Sequence, residues 1–171
     1  MKESPLDDQE LSLWALFGQA RLGMLKVRRR ELRQLNISPN KSTVLLSLQV
    51  IGDKATPSQI SRWLFREPHS ISELISKMER DGLVRKIKDL DRKDQVRVVL
   101  TEKGREVYYE ALKLKLIRKI MSCLSEDEQK QLRSFLLKLR DSAVNELGHK
   151  YKPPFPASNS QNRQLDDKRS S

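Results

Sequence analysis

Apolar residues recur at three- and four-residue spacing through most of the chain, and a single stretch departs from that period. Leu13, Phe17, Ala20, Met24 and Val27 mark a long first helix of about 30 residues. Ser4-Pro5 would open it, pairing an N-cap hydroxyl with a proline whose missing N–H costs nothing at the first helical position. It would run through Arg28-Arg29-Arg30 and end near Asn36. Ser38-Pro39 opens a second helix through Val44, Leu45 and Leu48, closed by Gly52. Thr56-Pro57-Ser58-Gln59 reads as a capping box for a short third helix carrying Ile60, Trp63 and Leu64. A fourth follows Arg66-Glu67-Pro68, with Ile71, Leu74, Ile75 and Met78 on one side and Ser72, Ser76, Lys77 and Arg80 on the other, up to Asp81-Gly82.

The period then drops to that of strands. Leu83–Lys88 and Gln95–Leu100 are rich in β-branched residues and flank the polar stretch 89–94, so they predict a hairpin with a charged tip. Thr101 caps a fifth helix expected to run unbroken past Val107, Leu112, Leu116, Ile120 and Leu124. Ser125-Glu126-Asp127-Glu128 is a capping box for a sixth, striped by Leu132, Phe135, Leu136, Leu139, Ala143 and Leu147. From His149 onward, prolines followed by Ser, Asn and Gln predict a flexible tail. The fold class is mainly α with a small β-hairpin wing (α+β).

Charge narrows the function. The 171 residues hold 34 Lys and Arg against 23 Asp and Glu, a formal net charge of +11, which suits a polyanion such as nucleic acid. One cysteine, Cys123, excludes an internal disulfide framework, and a lone Cys on an apolar helix reads as core. The two histidines, His69 and His149, lie far apart with no metal-ligand spacing around them. No Gly-rich phosphate loop or nucleophile–base pair emerges, so neither enzyme, cofactor nor metal is expected. The acidic N-terminus lacks a signal-peptide core, and no apolar run approaches the roughly 20 residues of a membrane span, so a cytoplasmic protein without membrane contact is expected.

Three short helices followed by a basic hairpin are the layout of a winged helix-turn-helix, whose last helix enters the major groove. The residues sharpen this. Ile71-Ser72-Glu73-Leu74-Ile75-Ser76-Lys77-Met78-Glu79-Arg80-Asp81-Gly82-Leu83-Val84-Arg85 resembles the recognition helix and first wing strand of the MarR family of regulators. Val98-Val99-Leu100-Thr101-Glu102-Lys103-Gly104 resembles its second wing strand and the helix after it. The likeness extends in order over residues 6–148.

That resemblance implies a homodimer whose N- and C-terminal helices intertwine, presenting two recognition helices to successive major grooves of a pseudo-palindromic double-stranded DNA site. It divides the chain into an N-terminal dimerisation helix (1–36), a winged helix-turn-helix (37–101), C-terminal dimerisation helices (102–148) and the tail (149–171). Repression relieved by a small-molecule effector is the output it implies. The apolar stripes on the first, fifth and sixth helices independently ask for a partner surface.

Candidate DNA contacts on the recognition helix are Ser70, Ser72, Glu73, Ser76, Lys77 and Arg80. Glu73 departs from the family, which often carries Arg near this place. It could accept from a cytosine amino group, but Ser70-Ile71-Ser72-Glu73 also fits a capping box, and that structural role is favoured. Lys88, Arg92 and Lys93 are the wing candidates, with Asp89, Asp91 and Asp94 offsetting them. Arg28, Arg29, Arg30 and Arg33 either flank DNA or solvate the first helix, and solvation is favoured. The resemblance also implies an effector pocket between the dimer helices and the wing domain. Trp14, Phe17 and Trp63 are candidate linings for it, although core packing is favoured for each.

Overall fold

A computed structural model describes residues 8–88, 96–113 and 115–148. Its elements in chain order are α1 (Gln9–Leu32), a 3-10 turn (Arg33–Leu35), α2 (Pro39–Ile51), α3 (Pro57–Leu64), α4 (Pro68–Arg80), β1 (Val84–Lys88), β2 (Val96–Leu100), α5 (Glu102–Leu112), α6 (Leu116–Met121) and α7 (Glu126–Glu146).

Most helix starts follow the expected cap chemistry. The Ser38 hydroxyl accepts from the Lys41 N–H, and Pro39 occupies the first turn of α2. Thr56 with Gln59, and Ser125 with Glu128, form complete capping boxes on α3 and α7. Two starts differ. The described α1 begins at Gln9 and is capped by the Asp8 carboxylate, which accepts from the N–H groups of Glu10 and Leu11; Ser4-Pro5 lies outside the described residues. α4 begins at Pro68 with Glu67 at the N-cap and no side-chain cap bond. Ser70 therefore sits inside the first turn, and the expected Ser70–Glu73 box does not form, because the proline has already fixed the helix two residues earlier.

One core unites α2, α3, α4 and the wing. Val44, Leu45 and Leu48 of α2, Ile60 of α3 and Ile71, Ile75 and Met78 of α4 pack with Leu83, Val84, Val98 and Leu100 of the wing. Leu32 at the end of α1 and Ala111 at the end of α5 join the same cluster. Strands β1 and β2 pair antiparallel with Val84 opposite Leu100 and Lys88 opposite Val96. The Val98 N–H donates to the Ala55 carbonyl at 2.8 Å, tying the loop between α2 and α3 to the sheet.

The expected continuous fifth helix is two helices, α5 and α6, broken after Leu112. The hairpin tip and the tail, residues 89–95 and 149–171, lie outside the described residues. Among the described residues no helix is long and apolar enough to cross a membrane.

Candidate nucleic-acid interface

α3 and α4 form the two arms of the helix-turn-helix. Phe65 takes the left-handed conformation at the corner, with φ 50°, an uncommon choice for a bulky residue. The corner is held by its own hydrogen bonds: the buried Ser61 hydroxyl donates to the Arg66 carbonyl at 2.6 Å, and the Arg66 N–H returns to the Ser61 carbonyl at 3.1 Å.

With Ile71, Ile75 and Met78 buried, the helical period turns Ser72, Glu73, Lys77 and Arg80 outward, and all four are exposed. Ser70 and Ser76 are half-buried at the margins of that face. Glu73 lies 3.3 Å from His69 one turn earlier, both well exposed, so its carboxylate pairs along the helix instead of capping it. The side chains of Lys77 and Arg80 enter no hydrogen bond or ion pair among the described residues, although the Arg80 charge helps lower the Asp81 pKa, which leaves two cations on the outer face. Lys88, at the end of β1, is also exposed, and Arg92 and Lys93 fall in the undescribed tip.

The wing is braced against this helix by a residue that sequence reasoning missed. Lys86 of β1 donates its ammonium to Ser76 Oγ at 2.9 Å and pairs with Glu79 Oε2 at 3.2 Å, while its N–H donates to Glu79 Oε1 at 2.9 Å. The backbone bond from Lys86, reinforced by its side chain, holds the Glu79 carboxyl below its ordinary value of 4.5. Ser76 is thus committed to Lys86 and, through its own hydroxyl hydrogen, to the Ser72 carbonyl at 3.0 Å. A serine and a glutamate three residues apart, followed by a lysine in the next strand, was the available signal.

The turn from α4 to β1 is pinned on both sides. Lys41 of α2 reaches the Asp81 carboxylate at 2.5 Å and lowers its pKa, Lys103 of α5 donates to the Asp81 carbonyl at 2.8 Å, and the Thr101 hydroxyl donates to the Gly82 carbonyl at 2.6 Å.

The remaining candidates are scattered. Trp14 is 73% exposed and Phe17 44% exposed on the outer half of α1, so neither packs in the core of a single chain, contrary to the favoured reading. Trp63 is half-buried on α3. None of the three lines the cavities between α6 and α7 (Met121, Leu132, Leu136, Arg140) or between α1 and α6 (Val27, Arg30, Leu116, Ile120). Cys123 is exposed instead of buried, because it falls in the turn before α7. Arg29, Arg30 and Arg33 are solvated, whereas Arg28 turns inward and donates to the Ala111 carbonyl at 3.0 Å.

A helix-turn-helix with a pinned wing and an outward cationic helix face defines a winged helix DNA-binding protein, and residues 39–104 match the family model of the winged helix DNA-binding domain. The organohalide-sensing transcriptional regulator RdhR, solved with 2,4-dichlorophenol bound, is similar over nearly the whole length: 33% identity, 92% of this chain and 96% of that one, with a TM-score of 0.76. MarR from E. coli in complex with operator DNA shares the fold at 21% identity, 80% and 99% coverage and a TM-score of 0.71. The MepR–DNA complex of S. aureus shares it at 24% identity, 75% and 94% coverage and a TM-score of 0.67. A search of curated proteins gave no match. The chain belongs to the MarR family and is a DNA-binding, winged-helix transcriptional regulator.

Proposed function

We propose that the chain acts as a homodimeric, sequence-specific repressor, with its two α4 helices in successive major grooves of a pseudo-palindromic operator. The observation that carries this reading is the outer face of α4, where Lys77 and Arg80 stand exposed beside small serines, with no ion-pair partner among the described residues. Such a face lets long cations reach phosphates and base edges while nothing bulky blocks the approach. Ser70 and Ser72 line the groove, and Ser76 sits at its margin, held by Lys86. Glu73 is not a cap, and its exposed carboxylate, beside His69, can accept from a cytosine amino group. Lys88, Arg92 and Lys93 extend the contact along the wing toward the minor groove.

Exposed apolar residues on α1 and α7, among them Leu13, Phe135 and Leu139, support the dimer. RdhR was solved with a chlorinated phenol, which supports a small aromatic effector for this chain; in the dimer it would be received between the dimer helices and the wing domain, with Trp14 and Phe17 of α1 and Trp63 of α3 as its candidate linings. The protein works in the cytoplasm as a regulator and not as a catalyst.

Pull-down of genomic fragments followed by footprinting at physiological salt, with excess competitor DNA, tests the reading. A protected pseudo-palindrome with half-sites about one helical turn apart is expected. Uniform protection that competitor abolishes would make the protein a nonspecific architectural binder. Adding 2,4-dichlorophenol to the footprinting reaction tests the effector class by loss of protection.

A further inference from the structure

The break between α5 and α6 leaves backbone groups that a continuous helix would have satisfied, and α1 supplies partners for them. Arg28 donates to the Ala111 carbonyl at 3.0 Å, at the end of α5. Glu31 Oε1 accepts from the Leu116 N–H at 2.6 Å, at the start of α6. The two side chains lie 3.6 Å apart, and Arg118 donates to the neighbouring Leu112 carbonyl at 3.2 Å. Glu31 is 4% exposed, and its second oxygen, Oε2, has no hydrogen-bond partner. An apolar side chain would fill this place without the cost of desolvating a carboxylate. What the carboxylate adds is direction, because it fixes one N–H of one helix end.

The position of the break gives that direction a consequence. α5 is anchored to the reading unit at both ends: Thr101 bonds to Gly82, Lys103 bonds to Asp81, and Ala111 lies in the shared core. α6 and α7 stand outside that core, with Val144 their one fully buried residue among those described. The break is therefore the joint at which the C-terminal arm leaves the DNA-reading unit.

We propose that Arg28 and Glu31 are positioning residues that set the angle of this joint, and through it the distance between the two recognition helices on DNA. The inference rests on the dimeric reading above. Neither residue touches DNA in it, so altering them changes which half-site spacing is preferred and not which bases are read.

The test uses the full chain and double-stranded DNA selected from a random-sequence pool. From the selected site a series is made with one, two and three base pairs inserted between the half-sites, and affinity is measured for the unaltered protein, Glu31→Ala, Arg28→Ala and Glu31→Gln. Glu31→Ala and Arg28→Ala should remain dimers by light scattering, lose about tenfold on the selected spacing, the scale of a coupling between sites, and lose far less on the widened sites. Glu31→Gln keeps an acceptor for the Leu116 N–H and should retain most of the preference. Equal losses at every spacing, tracking a fall in melting temperature, would overturn the proposal and leave the pair a structural support. Should Glu31→Ala fail to fold, Arg28→Ala, which leaves the Leu116 bond in place, decides by the same readout. A pool that returns only single half-sites would sink the dimeric reading, and the positioning role of Arg28 and Glu31 with it, whereas paired sites with an unchanged spacing preference would sink that role alone.

Discussion

Gly104 shows how little room a single position leaves. A Cβ placed there would stand 1.9 Å from the Leu83 carbonyl oxygen, which is backbone and cannot swing aside. The first turn of α5 lies against the backbone at Leu83, where the chain enters β1, only because that carbon is missing. Gly104→Ala should therefore destabilise the reading unit by about 3 kcal/mol, the upper range of overpacking costs. Urea unfolding would record it as a lowered midpoint at unchanged slope. Glu79 makes a different demand. Its bonds from Lys86 depress its pKa from 4.5, so the folded state binds this proton less readily than the unfolded chain does. The stabilisation is complete above 4.5 and disappears as pH falls through the depressed value. Thermal melts of the unaltered protein and Glu79→Gln should differ near pH 6 and converge as the pH is lowered below about 4.5. A gap that stays constant across that window would remove the Lys86 brace from the account.

At the scale of elements, Thr101 joins the wing to α5. Its hydroxyl accepts from the Gly104 N–H at 3.0 Å and donates to the Gly82 carbonyl at 2.6 Å, so one atom caps a helix and closes a turn. Thr101→Ala should cost about 2 kcal/mol, the upper end of cap losses, and Thr101→Ser, which keeps the hydroxyl, should recover most of it in denaturant titrations. Caps of this kind are local, which is why Ser38, Thr56, Thr101 and Ser125 could be read from sequence as helix starts. The hairpin was equally legible, since alternation of β-branched residues needs no knowledge of neighbours. The break after Leu112 was not. Lys113 and Lys115 carry no stop signal, and the groups that make a break tolerable belong to residues 83 and 85 positions away. The cap of α4 was misread for a smaller reason. Two openings overlap, and Pro68 outranks Ser70 because its φ is fixed already. On the candidate interface, periodicity placed Ser72, Lys77 and Arg80 on the outer face, but it could not show that Ser76 is held by a lysine from the wing.

The molecule as a whole keeps its buried surface in the reading unit and leaves much of its remaining apolar surface uncovered. Leu11, Leu13, Trp14, Leu16, Phe17 and Leu22 are exposed on α1, and Phe135, Leu136, Leu139 and Leu147 at the other end of the chain. Monomers seldom leave apolar patches of that extent in water, and a two-fold arrangement would bury both sets at once. Charge placed on one of them should then separate the copies without unfolding either. Phe135 and Leu139 are one helical turn apart and 55% and 63% exposed, so neither supports the core of its own chain. Phe135→Glu with Leu139→Glu should give a monomer by light scattering, with helical circular dichroism retained. Operator affinity should fall about a hundredfold, because the second half-site would no longer be held at high effective concentration by the first. Affinity for an isolated half-site should barely change, since Lys77 and Arg80 lie on a different element. If the doubly charged chain were still a dimer, the α7 face would not be the joining surface, and the exposed stripe on α1 alone would have to account for association.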